Sequence, residues 1–588
     1  MRRAKKASTG KLNLERYLVC FPTPKQSRKH EEYNVRTTET AIRTTMAINI
    51  PGLIAVIAFY IAILVIGIVY GRKTGKSKSN EAVLLADRSL GGFVSVFTIT
   101  ATMVGGGYLN GSAESASRDG VLYAQAPVGY CAGLLISALL YAPKMRGEGY
   151  ITMFDPLQMK YGKHIGALLI IPQIFGDLFW SAAVLAALGA TISIILDINA
   201  TLAIVISSAV AIFYTFMGGL YSVAYTDVIQ LLFIAVGLIV AFPFSLTHPA
   251  VDLERVADNW LGDIPQKTIA SYVDVFLLCI CGGIPWQAFY QRILACRTVR
   301  VAQISTSIAS VFALLMAIPA VVMGIAGSAA DWNATNYDGP IPLPDDMASF
   351  MLPLALNYLS PLPIAILGIG AISAAVMSSA DSCILSTSSI LTKNVYQDII
   401  RPKASETELV WVLRISILVV GTLGTLIAIF ADTIYGLFIL CSDLMYVVLF
   451  PQLTITLWMP QSNSYGSLTG FVVSFGLRLL SGEPVLGLAP VIRYYGYDAA
   501  MDTQLFPFRT FIMLIGAVCI VTVSLLTNFV FSSGIIPERY DYLKCLRQRT
   551  ISMRTDTIVR QPQEIEAFGA TSTMKCSQNG ASANNQLE

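Results

Sequence analysis

The sequence predicts an all-α polytopic membrane protein with about thirteen transmembrane helices, ten of them arranged as a five-plus-five inverted repeat. Three observations carry that prediction. Charged residues fill 13% of the 588 positions and apolar ones 54%, and the mean hydropathy is +0.62, a balance foreign to soluble globular chains. Apolar stretches long enough to cross a bilayer recur along most of the chain. Two of these, five stretches apart, carry helix breakers in their middles.

The bilayer is therefore the first partner implied. A net charge of +3 is close to neutral for this length and calls for no nucleic acid and no acidic partner. The ten cysteines are scattered, and Cys279-Ile280-Cys281 has no second pair to complete a zinc site; small buried core residues describe most of them better.

Residues 1–45 are basic and polar with no apolar h-region, so they read as a disordered leader rather than a secretory signal. An apolar run follows from Met46 to Tyr70, closed by Gly71-Arg72-Lys73 and then Lys76, Lys78 and Arg88, so 46–90 is a first membrane helix with a cytoplasmic loop. Further apolar stretches fall at 91–113, 124–142, 165–196, 200–217, 227–245, 272–291, 301–327, 362–394, 408–430, 433–458, 466–481 and 508–532. An odd total puts the termini on opposite sides.

Short-loop charges set the orientation. Lys144, Arg146, Lys160 and Lys163 follow segment three, Arg292, Arg297 and Arg300 follow seven, and Lys393, Arg401 and Lys403 follow nine, all on one face. That face is expected to be cytoplasmic, with the amino terminus outside and the polar tail, 534–588, inside. Asn333-Ala334-Thr335 lies in an outer loop and makes Asn333 a glycosylation candidate, whereas Asn199-Ala200-Thr201 sits too close to a membrane end. The basic leader is in conflict, being placed outside; translation starting at Met46 removes the conflict and is the favoured reading.

Segment two runs Thr102-Met103-Val104-Gly105-Gly106-Gly107-Tyr108-Leu109-Asn110-Gly111, and each interior glycine costs about 1 kcal/mol against alanine in a helix. Segment seven contains Gly282-Gly283-Ile284-Pro285-Trp286-Gln287, where Pro285 lacks an amide proton and clashes with the preceding turn. Taken alone, Gly107 to Gly111 also fits close helix packing. The matching break in segment seven favours unwinding in both, and segments five apart cross in opposite directions, which is how an inverted repeat is written.

Segment nine is polar at membrane depth, where hydroxyls and a carboxylate are costly unless they have a use: Ala374-Ala375-Val376-Met377-Ser378-Ser379-Ala380-Asp381-Ser382 continues to Ser389. Hard oxygen ligands suit an alkali ion. A hydrolase built on Ser378, Ser379 and Asp381 is the rival, but His30, His164 and His248 lie in the leader, at a membrane end and in an outer loop, so none is an obvious base. No ATP-motor signature is present either: Gly75-Lys76-Ser77 has Tyr70 where the first glycine is needed.

With these residues in view, the chain resembles the sodium:solute symporters, and within them the high-affinity choline transporters, from Met46 to about Pro537. The resemblance rests on Val104 to Tyr108 with Asn110-Gly111, Gln125-Ala126-Pro127, Gly149-Tyr150 through Asp155-Pro156, Gly218 through Asp227, Gly282 through Ala288, the Ser/Asp stretch, and Gly482-Glu483-Pro484. It implies a LeuT-like core over 91–458, two peripheral helices over 459–533, and no enzymatic activity. It implies a sodium site of the carbonyls of Ala101, Val104 and Ala375 with the hydroxyls of Ser378 and Ser379. Asp227, Asp381 and Ser382 match positions linked in some relatives to a second cation.

A methylated nitrogen takes no conventional hydrogen bond, so an aromatic cage is the physical solution for choline. Tyr130, Trp180 and Trp286 match cage positions of the choline transporters, although any one aromatic is more often core or interfacial belt. Met103 departs from the pattern, standing where those transporters carry Trp after Thr-Ala-Thr. A thioether lacks the ring's negative face, so one cage wall is weakened. The resemblance thus implies sodium-coupled choline uptake at a plasma membrane, for acetylcholine synthesis, with no cofactor, sodium as coupling ion and chloride as a further candidate. Another quaternary amine, or a non-transporting ligand sensor, stays open. Asp556-Thr557-Ile558-Val559 loosely matches the internalisation signals of neuronal transporters, which would imply presynaptic endocytic cycling, although most such tetrapeptides in disordered sequence arise by chance. Oligomeric state is not legible.

Overall fold

The computed structural model describes residues 80–543 apart from 197, 218, 432 and 500–502, together with scattered residues between 54 and 69. The expected leader, most of the first apolar run and the carboxyl tail, including the Asp556–Val559 tetrapeptide, lie outside the described residues.

Helices stand at all twelve apolar stretches from position 91 onward. They are α1 (Gly92–Met103), α2 (Gly106–Asp119), α3 (Val121–Gly147), α4 (Lys163–Ile194), α5 (Ala200–Met217) and α6 (Ser222–Leu246) in the first half. The second half holds α7 (Ile269–Cys281), α8 (Gln287–Ala295), α9 (Val299–Ala329), α10 (Leu362–Ile400), α11 (Glu406–Ile429) and α12 (Ile434–Trp458). Two more follow, α13 (Ser464–Leu480) and α14 (Phe508–Ser532). Among the described residues nine helices are individually long and apolar enough to cross a membrane, ten with α1 and α2 taken as one bent span. The chain is a multi-pass membrane protein.

Each half opens with a broken helix and continues with four unbroken ones, so the order of elements repeats. Five crossings separate the two breaks, and an odd number of crossings inverts the second half relative to the first. The most deeply buried spans are α4, α12 and α10. Along their apolar windows α4 and α12 are 78% buried within the protein and α14 only 22%, which separates an inner bundle from a lipid-facing periphery. Small residues bring the inner helices close: a side chain at Gly237 of α6 would run into Ala371 of α10, and one at Gly424 of α11 would meet Ser181 of α4 at 3.1 Å. Helix α10 runs on to Ile400, past the expected end at 394, through a π-helical stretch, Leu391–Ile400.

Candidate functional site

Helix α1 ends where the Val104 amide donates to the Thr100 carbonyl at 2.8 Å and the backbone then straightens, with Gly105 at φ −91° and ψ 173°. Helix α2 leaves at 51° to α1. A continuous helix would supply amides to the last carbonyls of α1, Ala101 among them; the break withholds those donors and leaves oxygens to find other partners. The glycines are there for approach rather than for φ. A Cβ on Gly105 would be driven into Ser379 Oγ and stand 3.4 Å from Trp180 Cζ2, and one on Gly106 would strike Val376. Ala101, Val104, Ala375, Ser378 and Ser379 are all fully buried. Ser379 Oγ donates across the gap to the Thr102 carbonyl at 3.3 Å. The end of α1 and the Ser378–Ser379 turn of α10 thus meet.

Ser378 Oγ donates to Asp227 Oδ1 at 2.5 Å, and Thr98 Oγ1 to Asp227 Oδ2 at 2.5 Å. Arg292 stands 3.7 Å from Asp227 Oδ2 and donates to Ser382 Oγ at 2.5 Å; Ser382 in turn donates to the Ser378 carbonyl at 2.6 Å. Ser378 of the expected sodium set is therefore hydrogen-bonded to both Asp227 and Ser382 of the expected second-cation set. Asp381 is buried beside it on α10. The structure also corrects the sequence reading of Arg292. Counted above as a loop charge, it lies within α8 and is wholly buried. Arg297 and Arg300 keep their exposed positions beyond that helix.

The second break spans Gly282 to Trp286, between α7 and α8. Gly283 abuts Tyr130, whose ring would lie 2.8 Å from an added Cβ, and a Cβ added to Gly282 would stand 2.6 Å from the Ser442 carbonyl oxygen of α12. Tyr130 Oη and Ser442 Oγ are hydrogen-bonded at 2.5 Å. Trp286, the residue before α8, meets Trp180 edge-to-face with centroids 4.7 Å apart at 81°. All three expected cage aromatics come together, and Phe438 of α12 joins them, 5.1 Å from Trp180 and 5.6 Å from Tyr130. Tyr108 of α2 completes the group at 6.4 Å from both Tyr130 and Phe438. Met103 is buried at the end of α1.

Sequence reasoning missed Phe438, Tyr108 and Asp177. Nothing in an apolar run distinguishes Phe438 from packing. Asp177 carried a usable signal, since a carboxylate within a membrane helix is a functional candidate by default.

A cavity of about 230 Å³ lies where the end of α2 and the starts of α7 and α12 meet residues 483–485 and 503–505. Glu114 closes its wall by accepting from Thr433 Oγ1 and the Tyr435 amide, each at 3.2 Å. Tyr435 stacks on Phe438 at 6.2 Å, so the cavity borders the aromatic group. Across the protein, Thr152, Asp155, Gln158 and Asn394 form a buried hydrogen-bond web, and the Met153 amide donates to Gln287 Oε1 at 2.7 Å, next to Trp286.

The pattern describing the "Sodium:solute symporter family" matches residues 83–474. The chain is 46% identical over 525 residues to the high-affinity choline transporter 1 of Drosophila melanogaster, covering 89% of this chain and 84% of that one. It is 45% identical over 512 residues to the high affinity choline transporter 1 of Homo sapiens, covering 84% and 88%. A solved Na+-coupled sialic acid symporter in a substrate-bound outward-open state superposes with a TM-score of 0.67 at 18% identity, over 82% of this chain and 98% of that one, and so shares its fold. With two broken helices facing a hydroxyl-rich α10, and with the family pattern matched across both halves of the repeat, the chain belongs to the sodium:solute symporter family.

Proposed function

We propose that the protein takes up choline into the cell, driven by sodium, by alternating access around the two breaks. One observation carries this most directly: Gly105 packs at once against Ser379 and against Trp180, so the hard-oxygen cluster and the aromatic cluster share a single unwound turn. Two relatives at 45–46% identity that bear the name of choline transporters support the substrate. In this reading Ala101, Val104, Ala375, Ser378 and Ser379 hold sodium, while Trp180, Trp286 and Tyr130, joined by Phe438, enclose the trimethylammonium group. Met103 lines the cage without a ring face. A second cation at Asp227, Asp381 and Ser382 would have to share that network with Arg292.

Sodium moving inward releases about 2.3 kcal/mol for each 100 mV of membrane potential, plus its concentration term. Choline, itself cationic, gains from the same potential. Residues 91–458 form the transport core in this proposal, 46–90 the first helix and its loop, and 459–533 the two peripheral helices. The cavity beside Tyr435 faces outward, and the web around Asn394 closes the cytoplasmic side. Asn333, exposed on an outer loop, carries a glycan; its replacement by Gln should remove a glycosidase-sensitive shift in gel mobility.

The decisive experiment is uptake of labelled choline, betaine and related amines with sodium present or replaced by an inert cation. Sodium-dependent accumulation of choline is the expected result. Uptake that persists without sodium would break the coupling, saturable binding without accumulation would identify a sensor, and preference for another amine would move the substrate.

A further inference from the structure

A carboxyl group lies against the aromatic cluster of Trp180 and Trp286. Asp177 lies on α4, three residues before Trp180, so both side chains lie on the same side of that helix. Asp177 is fully buried and surrounded by donors. The Trp286 indole nitrogen donates to its Oδ1 at 2.6 Å and Gln173 Nε2 to the same oxygen at 2.9 Å. Its Oδ2 accepts from Ser386 Oγ at 3.0 Å and Thr387 Oγ1 at 2.5 Å, both on α10. An indole N–H can only donate, and both oxygens of the Asp177 carboxyl act as acceptors toward these four groups.

Two consequences follow for a cation held between Trp180 and Trp286. The hydrogen bond fixes the Trp286 ring at right angles to Trp180, the geometry in which two faces of a cage meet. Donation to an anion also pushes electron density into the indole, and the full negative charge lies one ring away, in a dry interior where Coulomb attraction is weakly screened. Because Oδ2 is held by α10 two turns beyond Ser378 and Ser379, the same carboxylate ties the cage to the helix that carries the hydroxyl cluster.

We propose that Asp177 is a positioning and specificity-determining residue: it orients Trp286 and supplies the fixed counter-charge that makes the aromatic cage prefer a quaternary ammonium ion over an uncharged molecule of the same shape. The proposal rests on the choline-uptake reading above.

The full chain in proteoliposomes tests both, with choline and its uncharged carbon isostere, 3,3-dimethylbutan-1-ol, as paired ligands. Wild type that neither accumulates choline nor favours it over the isostere overturns the uptake reading and this inference together. Where wild type does transport choline, Asp177→Asn decides, because it keeps an acceptor for the indole N–H and removes the charge. Half-saturating choline should rise about tenfold, while the inhibition constant of the isostere moves less than about twofold. Equal weakening of both ligands, or no change, would show a merely structural residue and overturn the inference. If that variant does not reach the membrane, Trp286→Phe keeps a ring and removes the N–H. Choline weakened about threefold more than the isostere supports the proposal, and parallel loss overturns it.

Discussion

The two broken helices use the same backbone device to build opposite chemistry. At the first break, Val104–Gly105, the Thr102 carbonyl accepts from Ser379 Oγ, Ser378 donates to Asp227 alongside, and the neighbourhood is hard oxygen. At the second, Gly282–Trp286, unwinding brings Trp286 and the Tyr130 ring to the same place, and the neighbourhood is π-face. In each case glycine gives the approach, since added methyl groups would strike Ser379 at one break and Tyr130 at the other. What differs is which neighbours the glycine lets in. Unwound backbone therefore does not choose a ligand; the facing helix does.

Removing Arg292 should have the largest effect on this arrangement. Arg292→Ala leaves Asp227 buried without its cation and should lower stability by about 3–5 kcal/mol, read as a lower melting midpoint in detergent. Adding Asp227→Asn should restore much of that loss. A single variant that melts like wild type would mean that the pair does not hold the first break together.

Next come the glycines, whose substitution separates the two breaks functionally. Overpacking at Gly105→Ala should cost about 1–3 kcal/mol and weaken sodium and choline together, because the methyl group meets Ser379 and Trp180. Gly283→Ala meets only Tyr130 and should weaken choline about tenfold with sodium activation unchanged. Identical sodium dependence in the two variants would erase the distinction between the breaks.

Met103→Trp should restore a cage wall and improve the apparent affinity for choline about three- to thirtyfold, corresponding to about 0.5–2 kcal/mol. Unchanged or poorer affinity would remove Met103 from the cage.

The smallest effect is expected far from both breaks. Arg255 donates to Asp331 at 3.2 Å on exposed loops, and that hydrogen bond, with one from Asn333, holds the Asp331 carboxyl below its ordinary range. A depressed carboxyl contributes its stabilisation above the unfolded value, near 4, and loses it as pH falls through the folded one. Melting of Arg255→Gln should therefore follow wild type below that window and lie marginally lower above it, with the difference vanishing in high salt. A difference that survives salt would contradict a solvent-screened contact.

The sequence by itself determined the membrane class, the places of the helices from position 91 onward, both breaks and the polar face of α10. Those are local properties: a run of apolar residues must be helical in lipid, and Gly105-Gly106-Gly107 or Gly282-Gly283 with Pro285 must weaken a helix wherever they occur. Tyr130, Trp180 and Trp286 were singled out only through resemblance to a family, because an aromatic residue in an apolar run reads equally well as packing.

Tertiary structure decided the rest. It took Arg292 from the loop side of α7 into the heart of the Asp227 network, placed Phe438 against Trp180 and Tyr130 and set Asp177 beneath Trp286. A single charge has no periodicity, and the partners that matter here, Arg292 for Asp227 and Trp286 and Thr387 for Asp177, lie 65 to 210 residues away along the chain. Only the folded bundle could show which charges meet, since burying any of them requires a partner that no local pattern names.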